Sequence, residues 1–188
     1  MDKYLIDKFK DNISNNIKLS SYSWFNLGGP AEYFFKPKNK DQLIEFLKDN
    51  KKSKLNITIL GAGSNTLIRD RGVKGIVVKL GSSFSNIELV NKNTIKVGAA
   101  TLDRKISEFA KEKSITNLEF LSCIPGSIGG AVIMNSGCYD NDISKILVSI
   151  NIIDLKKCIE KEIKRDEIKF FYRGTDLPTN FLITSVLL

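Results

Sequence analysis

The sequence has no histidine among its 188 residues and few cysteines. The missing imidazole excludes serine–histidine catalysis and histidine-based metal sites, so any acid–base chemistry must come from other side chains. Cys123, Cys138 and Cys158 are widely spaced and odd in number, which fits neither a disulfide framework nor a metal centre. We therefore predict buried, reduced thiols and no metal site.

Long apolar runs are also missing. The longest, such as residues 146–153, are interrupted by polar residues and are too short to span a bilayer. The first twelve residues, MDKYLIDKFKDN, lack the apolar segment and cleavage site of a secretory signal. We expect a cytoplasmic protein with no membrane partner, in which 42% hydrophobic residues suffice for a core.

The formal net charge is +8. Such a charge can reflect composition alone, or it can attract an anionic ligand such as a phosphorylated nucleotide. The lysines are scattered, and no nucleic-acid-binding motif lies among them. We therefore expect no nucleic-acid partner.

Hydrophobic periodicity predicts a mixture of helices and strands. Helices are expected over residues 41–51 and 102–115, the second with Thr101 as its N-cap, and a helical turn over 164–169. The predicted strands are a buried one at 56–60, others at 75–80, 94–100 and 181–188, and a hairpin formed by 146–155 and 158–163. This order favours an α/β or α+β architecture with two lobes over a regular doubly wound sheet. The apolar last strand also suggests that further chain should follow it.

The first glycine-rich segment follows the predicted strand at 56–60. Gly61 and Gly63 would let backbone N–H groups approach a phosphate, and Ser64 and Asn65 add hydrogen-bonding side chains. Thr66 stands where a Rossmann fingerprint needs its third glycine, and no Gly-Lys-Ser/Thr triplet forms a Walker loop. The segment is either a phosphate cradle of another kind or an ordinary turn.

The second glycine-rich segment covers residues 121–131. Pro125 and Gly126 predict a turn, and Gly129 and Gly130 keep the following backbone bare. A short helix starting after Pro125 would point its first N–H groups at an anion. Tight packing between two lobes is the alternative, but two such segments in one short chain favour a shared ligand.

At these residues the sequence resembles the UDP-N-acetylenolpyruvoylglucosamine reductases. Residues 61–65 are similar to the family's G-x-G-S-N loop, 124–130 to its I-P-G-x-x-G-G segment, and 135–139 to its N-x-G-A-Y stretch. Residues 171–175 resemble the Y-R-x-S motif, and 23–31 resemble the T-x-F-x-x-G-G-x-A entry. The matches occur in family order and run through nearly the whole chain.

The resemblance implies an α+β, two-lobed FAD-binding fold of the vanillyl-alcohol-oxidase (PCMH) type. Residues 1–80 would form the first lobe and 81–188 the second, with FAD held between them and the third, substrate-binding domain of the family absent. The cofactor-binding residues implied by the motifs are Gly61, Ala62, Gly63, Ser64, Asn65, Pro125, Gly126, Ser127, Gly129, Gly130, Asn135 and Gly137.

The family reaction implied is reduction of UDP-N-acetylglucosamine enolpyruvate by NADPH, through FAD, to UDP-N-acetylmuramate for peptidoglycan. The resemblance makes Arg173 the catalytic arginine, whose guanidinium would take up enolate charge. It makes Tyr172 and, less directly, Tyr139 substrate-binding residues. From the residues alone, a solvated arginine following an aromatic pair is the better interpretation of Arg173.

Three departures from the family pattern accompany these matches. Thr175 replaces a serine, and Asp140 replaces a glycine, which predicts a strained loop. The family's third domain, which supplies a proton-donating serine and a glutamate, would have to follow Leu188. Loss of the proton donor would slow turnover by about 10²–10⁴-fold, so we expect this chain to bind FAD and turn over poorly. The alternatives are a non-catalytic remnant, half of a split enzyme, another flavoprotein of this fold, or a nucleotide-binding module without redox chemistry.

Overall fold

The computed structural model describes residues 3–188. The first part of the chain forms a four-stranded sheet. Its elements are α1 (Lys3–Lys8), β1 (Ile13–Lys18), β2 (Pro30–Phe35), α2 (Lys40–Ser53), β3 (Ile57–Ile59) and β4 (Val73–Val78). The strand order is β1-β2-β4-β3, with β1 antiparallel to β2 and the other pairs parallel.

A five-stranded antiparallel sheet is built from the rest of the chain. Its region comprises β5 (Ile87–Asn91), β6 (Thr94–Gly98), α3 (Asp103–Glu112), α4 (Ile128–Ile133), the hairpin β7 (Gly137–Cys138) and β8 (Asn141–Asp142), β9 (Ser149–Asp154), β10 (Glu160–Lys164), the hairpin β11 (Phe170–Phe171) and β12 (Gly174–Thr175), and β13 (Phe181–Leu187). The strand order is β10-β9-β13-β6-β5. The last strand therefore lies at the centre of the sheet.

Helix α2 shows how the sequence closes the first sheet. Asn39 caps it by accepting a hydrogen bond from the Gln42 amide at 2.9 Å, and its apolar face buries Phe46. The Phe46 ring packs on Phe35 with centroids 4.3 Å apart. This core extends to Leu182 of β13, so one apolar cluster joins the two sheets.

Most of the elements predicted from periodicity are confirmed. Helix α2, strands β4, β6 and β13, and the hairpin β9–β10 occupy the predicted segments, and the helical turn at 164–169 is a 3₁₀ turn at Arg165–Glu167. Helix α1 and strands β1, β2 and β5 were not predicted. The sheet pairing is mixed, as expected for an α+β fold.

Three local predictions were wrong. Helix α3 begins at Asp103 with Leu102 at the N-cap position, and the Thr101 hydroxyl has no partner. Strand β3 is an edge strand whose Ile59 is 40% exposed, because one side of it faces a cavity. Cys123 is exposed and Cys138 partly so, and only Cys158 is buried as predicted.

Within residues 3–188, no helix combines the length and apolar character needed to cross a membrane. The same residues contain no group of three or more histidine, cysteine, aspartate or glutamate side chains that could hold a metal ion.

Candidate functional site

Both glycine-rich segments face one cavity of about 1080 Å³. This volume is at the upper end of the range of about 300–1,000 Å³ that small-molecule sites occupy. We call residues 61–65 and 125–130 the floor loops. They come from different sheets of the molecule, so the cavity exists only once both sheets have formed.

The two glycines of the first floor loop have different structural roles. Gly63 has a φ of +75°, and a Cβ there would lie 2.0 Å from the carbonyl oxygen of Tyr22. Its own carbonyl accepts a hydrogen bond from the Trp24 amide at 3.1 Å. A Cβ on Gly61 would instead meet the Ser127 hydroxyl at 3.1 Å. Gly63 therefore fixes the loop against the chain behind it, while Gly61 leaves room beside Ser127.

The second floor loop is held by backbone hydrogen bonds to the segment that opens α3. The Ile128 amide donates to the Thr101 carbonyl at 2.9 Å, and the Gly129 amide donates to the Ala99 carbonyl at 3.0 Å. Two of the amides predicted to point at an anion are therefore already bonded to protein, because α4 begins at Ile128.

Two ionisable side chains of the cavity were missed at the sequence level. The Lys79 ammonium donates a hydrogen bond to the Gly61 carbonyl, and burial together with the neighbouring Lys36 lowers its pKa. The Asp103 carboxyl lines the cavity from the start of α3, and burial raises its pKa to about 7. Lys79 is a cation within the strand predicted at 75–80, and nothing in the sequence singled out Asp103.

Arg173 lies in the two-residue turn of the β11–β12 hairpin, with a φ of +57°. Its guanidinium donates to the Gly137 carbonyl at 3.0 Å and lies 5.2 Å from the centre of the Tyr172 ring. Arg173 lines the cavity, whereas Tyr172 is 89% exposed and lies outside the lining. The arginine is therefore positioned by its hairpin at the edge of the cavity.

The β7–β8 hairpin forms the neighbouring part of that edge. Its turn is Tyr139–Asp140, and both residues have left-handed backbones with φ of 51° and 59°. Turns of this kind favour glycine, asparagine and aspartate, so Asp140 stands at a left-handed position that glycine adopts most freely. Tyr139 is 80% exposed and, like Tyr172, does not line the cavity. We call the two hairpins the rim hairpins.

Asn135 does not line the cavity. Its side chain is buried, donates to the Phe171 carbonyl at 3.2 Å and accepts from the Ser144 amide at 3.0 Å. The side-chain nitrogen and oxygen of Asn135 are thus both bonded to protein. Asn135 thereby links the β11–β12 hairpin to the segment around Ser144. This arrangement does not support the cofactor contact predicted for it.

The remaining cofactor-binding candidates all line the cavity. They are Gly61, Ala62, Gly63, Ser64, Asn65, Pro125, Gly126, Ser127, Gly129, Gly130 and Gly137. Cys123 and Cys138 line it as well. Backbone and small side chains thus dominate the wall formed by the floor loops, with Lys79 as the cation next to it.

Comparisons with known proteins agree with this geometry. Residues 31–156 match the family described as FAD binding domain. The chain is 43% identical over 185 residues to the UDP-N-acetylenolpyruvoylglucosamine reductase of Pelagibacter ubique, covering 96% of the chain and 60% of that protein. It is 42% identical over 174 residues to the reductase of Rickettsia felis, covering 93% and 58%. The chain thus spans about 60% of the length of the curated relatives it matches.

Solved structures give the same result. The UDP-N-acetylenolpyruvylglucosamine reductase of Thermus caldophilus superposes with a TM-score of 0.79 at 27% identity, over 92% of this chain and 60% of that one. p-Cresol methylhydroxylase superposes with a TM-score of 0.68 at 12% identity, over 98% and 42%, which shows a shared fold. These matches confirm the family resemblance and the fold predicted from the sequence.

Proposed function

This chain belongs to the FAD binding domain family, and we propose that it is the FAD-binding part of a UDP-N-acetylenolpyruvoylglucosamine reductase. The observation that supports this most strongly is the meeting of the two floor loops in one large cavity. The lobe boundary near Leu80 belongs to the same proposal, since one sheet ends at Val78 and the other begins at Ile87.

The cavity fits a large ligand rich in oxygen atoms. A Cβ on Gly126 would occupy space beside the Asp103 carboxyl, whose two oxygens have no protein partner. Lys79 places a positive charge next to Gly61, where a diphosphate would be stabilised. The proposed diphosphate contacts are the backbone of residues 61–65 and the Ser64 and Asn65 side chains. Residues 125–130 and Gly137 would contact the rest of the cofactor.

FAD, when bound, would supply hydride transfer from NADPH to the enolpyruvyl group of a UDP-sugar substrate. Arg173 would stabilise negative charge on that substrate, because its guanidinium is fixed at the cavity edge by the Gly137 carbonyl. Tyr172 and Tyr139 stand outside the lining and are free to contact a substrate lying over the rim hairpins. We place this activity, a step of peptidoglycan synthesis, in the cytoplasm.

The first test is flavin binding by the purified chain. Its visible absorption spectrum and the identity of any released cofactor would be compared with those of Gly126→Val. This substitution would force a side chain against Asp103 and displace the cofactor. Stoichiometric FAD in the native chain and none in the variant is the expected result. A native chain that neither retains nor takes up FAD would overturn the proposal.

A second test concerns the reductant and the substrate. Anaerobic addition of NADPH to the FAD-loaded chain should bleach the flavin spectrum, and enolpyruvyl substrate should restore it. Arg173→Lys should leave bleaching intact and slow the restoration, since lysine lacks the planar two-point contact. Equal restoration rates in both chains would remove Arg173 from the proposed mechanism.

A further inference from the structure

Asp103 is an unusual residue in this cavity. It is the first residue of α3, its side chain is 0% exposed, and neither carboxyl oxygen has a hydrogen-bond partner. Among the side chains of residues 3–188, these two oxygens and the Thr101 hydroxyl are the buried oxygen or nitrogen atoms left without a partner. A buried polar group without a partner is unfavourable, so such a group calls for a ligand or a water molecule.

The carboxyl lies where the two floor loops meet. A Cβ built on Gly126 would be 2.9 Å from Asp103 Oδ2 and 3.6 Å from Ser64 Oγ. One point in space is thus within reach of both loops and of the acid. Asp103 also lines the cavity that these loops enclose.

The backbone holds Asp103 at this point. Its amide donates to the Gly126 carbonyl at 3.2 Å, and the adjacent Thr101 carbonyl accepts from Ile128 at 2.9 Å. Leu102 and Ser127 form a bridge between these two contacts. These contacts fix the backbone from which the carboxyl projects.

The surroundings favour a proton on this acid. Burial alone raises its pKa to about 7, so near neutral pH the carboxyl is protonated about half of the time. The other titratable groups lining the cavity are Lys79 after β4, Cys123 before the second floor loop, and Cys138 and Arg173 on the rim hairpins. None of them is a cause of the Asp103 shift. A protonated carboxyl can donate a hydrogen bond to an anion, which a carboxylate would repel.

We propose that Asp103 is a cofactor-binding residue whose protonated carboxyl donates a hydrogen bond to a diphosphate oxygen at the meeting point of the floor loops. This inference rests on the proposed function, since it assigns a residue to the same FAD site. It also gives the site a pH dependence. Binding the diphosphate favours the protonated acid, so affinity is highest below the pKa of the free chain and falls as the pH rises above it.

The test is equilibrium binding of FAD to the FAD-free chain, followed by flavin fluorescence between about pH 6 and pH 8.5. Between about pH 7 and pH 8.5 we expect a loss of affinity of about tenfold, since one proton changes affinity by at most tenfold per pH unit. ADP-ribose, in which the diphosphate is esterified at both ends as in FAD, should show the same loss, and riboflavin, which lacks the diphosphate, should not.

Three variants separate Asp103 from other titrating groups. Asp103→Asn keeps a donor and no charge, so it should bind FAD within about threefold of the native chain at pH 6 and lose the Asp103-dependent decline. Asp103→Leu should bind about tenfold more weakly at pH 6 and also lose it. Asp41→Asn, an exposed acid in the first turn of α2, is the matched control and should keep the native profile. Any decline that persists in Asp103→Asn belongs to another titratable group of the cavity, such as Lys79.

If the native chain binds FAD and both Asp103 variants show native affinity and an unchanged pH profile, this inference is wrong, and the acid is satisfied by buried water. If the native chain does not bind FAD at all, the proposed function fails first. The two failures are therefore distinguishable in one set of titrations.

Discussion

The floor loops and the rim hairpins border the same cavity, but they differ in the size and exposure of their side chains. The floor is bare backbone and small side chains, held by hydrogen bonds between distant segments such as Trp24 to Gly63 and Ile128 to Thr101. The rim presents long side chains, with Tyr139 and Tyr172 largely exposed, on turns whose backbone is left-handed. The floor is thus formed before any ligand arrives, whereas the rim tyrosines have most of their surface free for contacts with one.

We expect the largest effect from a substitution that disturbs the backbone of the first floor loop. Gly63→Ala adds a Cβ that would lie 2.0 Å from the Tyr22 carbonyl at a φ of +75°. We expect a loss of about 3 kcal/mol or more in the free energy of unfolding, measured with urea, and no FAD binding. Gly81→Ala is the control, since a Cβ there meets nothing within 4 Å. A stable, FAD-binding Gly63→Ala chain would contradict the role assigned to the floor backbone.

The second prediction concerns Asp103, the buried acid beside the second floor loop. The native folded chain keeps the Asp103 proton up to about pH 7, whereas in the unfolded chain the carboxyl has its ordinary pKa of 3.8 and releases the proton there. Native stability should therefore fall as the pH rises from about 4 to about 7 and then level off. Asp103→Leu should lack this fall and gain about 2–4 kcal/mol at pH 8 in the FAD-free state. Urea unfolding of the native chain and of Asp103→Leu at about pH 4 and at pH 8 measures both effects on stability. Parallel pH profiles of the two chains would contradict the prediction.

A third prediction tests the charge beside the floor. Lys79→Met should lower FAD affinity by about tenfold and weaken its dependence on salt, because a cation next to Gly61 is lost. Stability should change little, since burial and Lys36 already disfavour the Lys79 charge. Lys96→Gln, on the exposed face of β6, provides the matched change of charge. Equal FAD titrations for the two variants would show that Lys79 does not contact the diphosphate.

The smallest effect is expected at the rim. Asp140→Gly should raise the free energy of unfolding by about 0.5–1 kcal/mol, because glycine adopts the φ of 59° without strain. Asp140→Ala should lower it slightly, since alanine tolerates a left-handed backbone less well than aspartate does. Thermal unfolding of the three chains is sufficient. FAD affinity should stay within about threefold throughout, and a larger change would mean that the rim shapes the floor.

The sequence predicted the floor better than the rim for a physical reason. Proline restricts the backbone, and glycine allows conformations that other residues avoid. Gly61, Gly63 and Gly126 therefore indicate turns whatever residues surround them in the fold. The central positions of α2 were predictable in the same way, from the periodicity of its apolar residues. The family motifs predicted one ligand for both loops, and both loops line one cavity.

Other features depend on contacts that no local pattern contains. Asp103 is buried beside Gly126 of the second floor loop, and both ends of the Asn135 amide are bonded, to Phe171 and Ser144. Thr101 was mistaken for an N-cap because the helix starts two residues later, where the chain pairs with Gly126. Strand β3 was taken as buried because its apolar residues suggested two covered faces, while the cavity leaves one face open.

The position of β13 has a consequence for the order of events during synthesis. Strand β6 lies beside β13, with Gly98 opposite Ser185, so β6 is made long before its neighbour. A ribosome adding roughly 5–20 residues per second leaves that edge unpaired for several seconds. The first sheet, complete at Val78, can form in that interval, whereas the second must wait for its central strand. In a nascent chain stalled before Phe181, the first floor loop should therefore be in place. The second sheet, which positions the second floor loop, should not yet have formed.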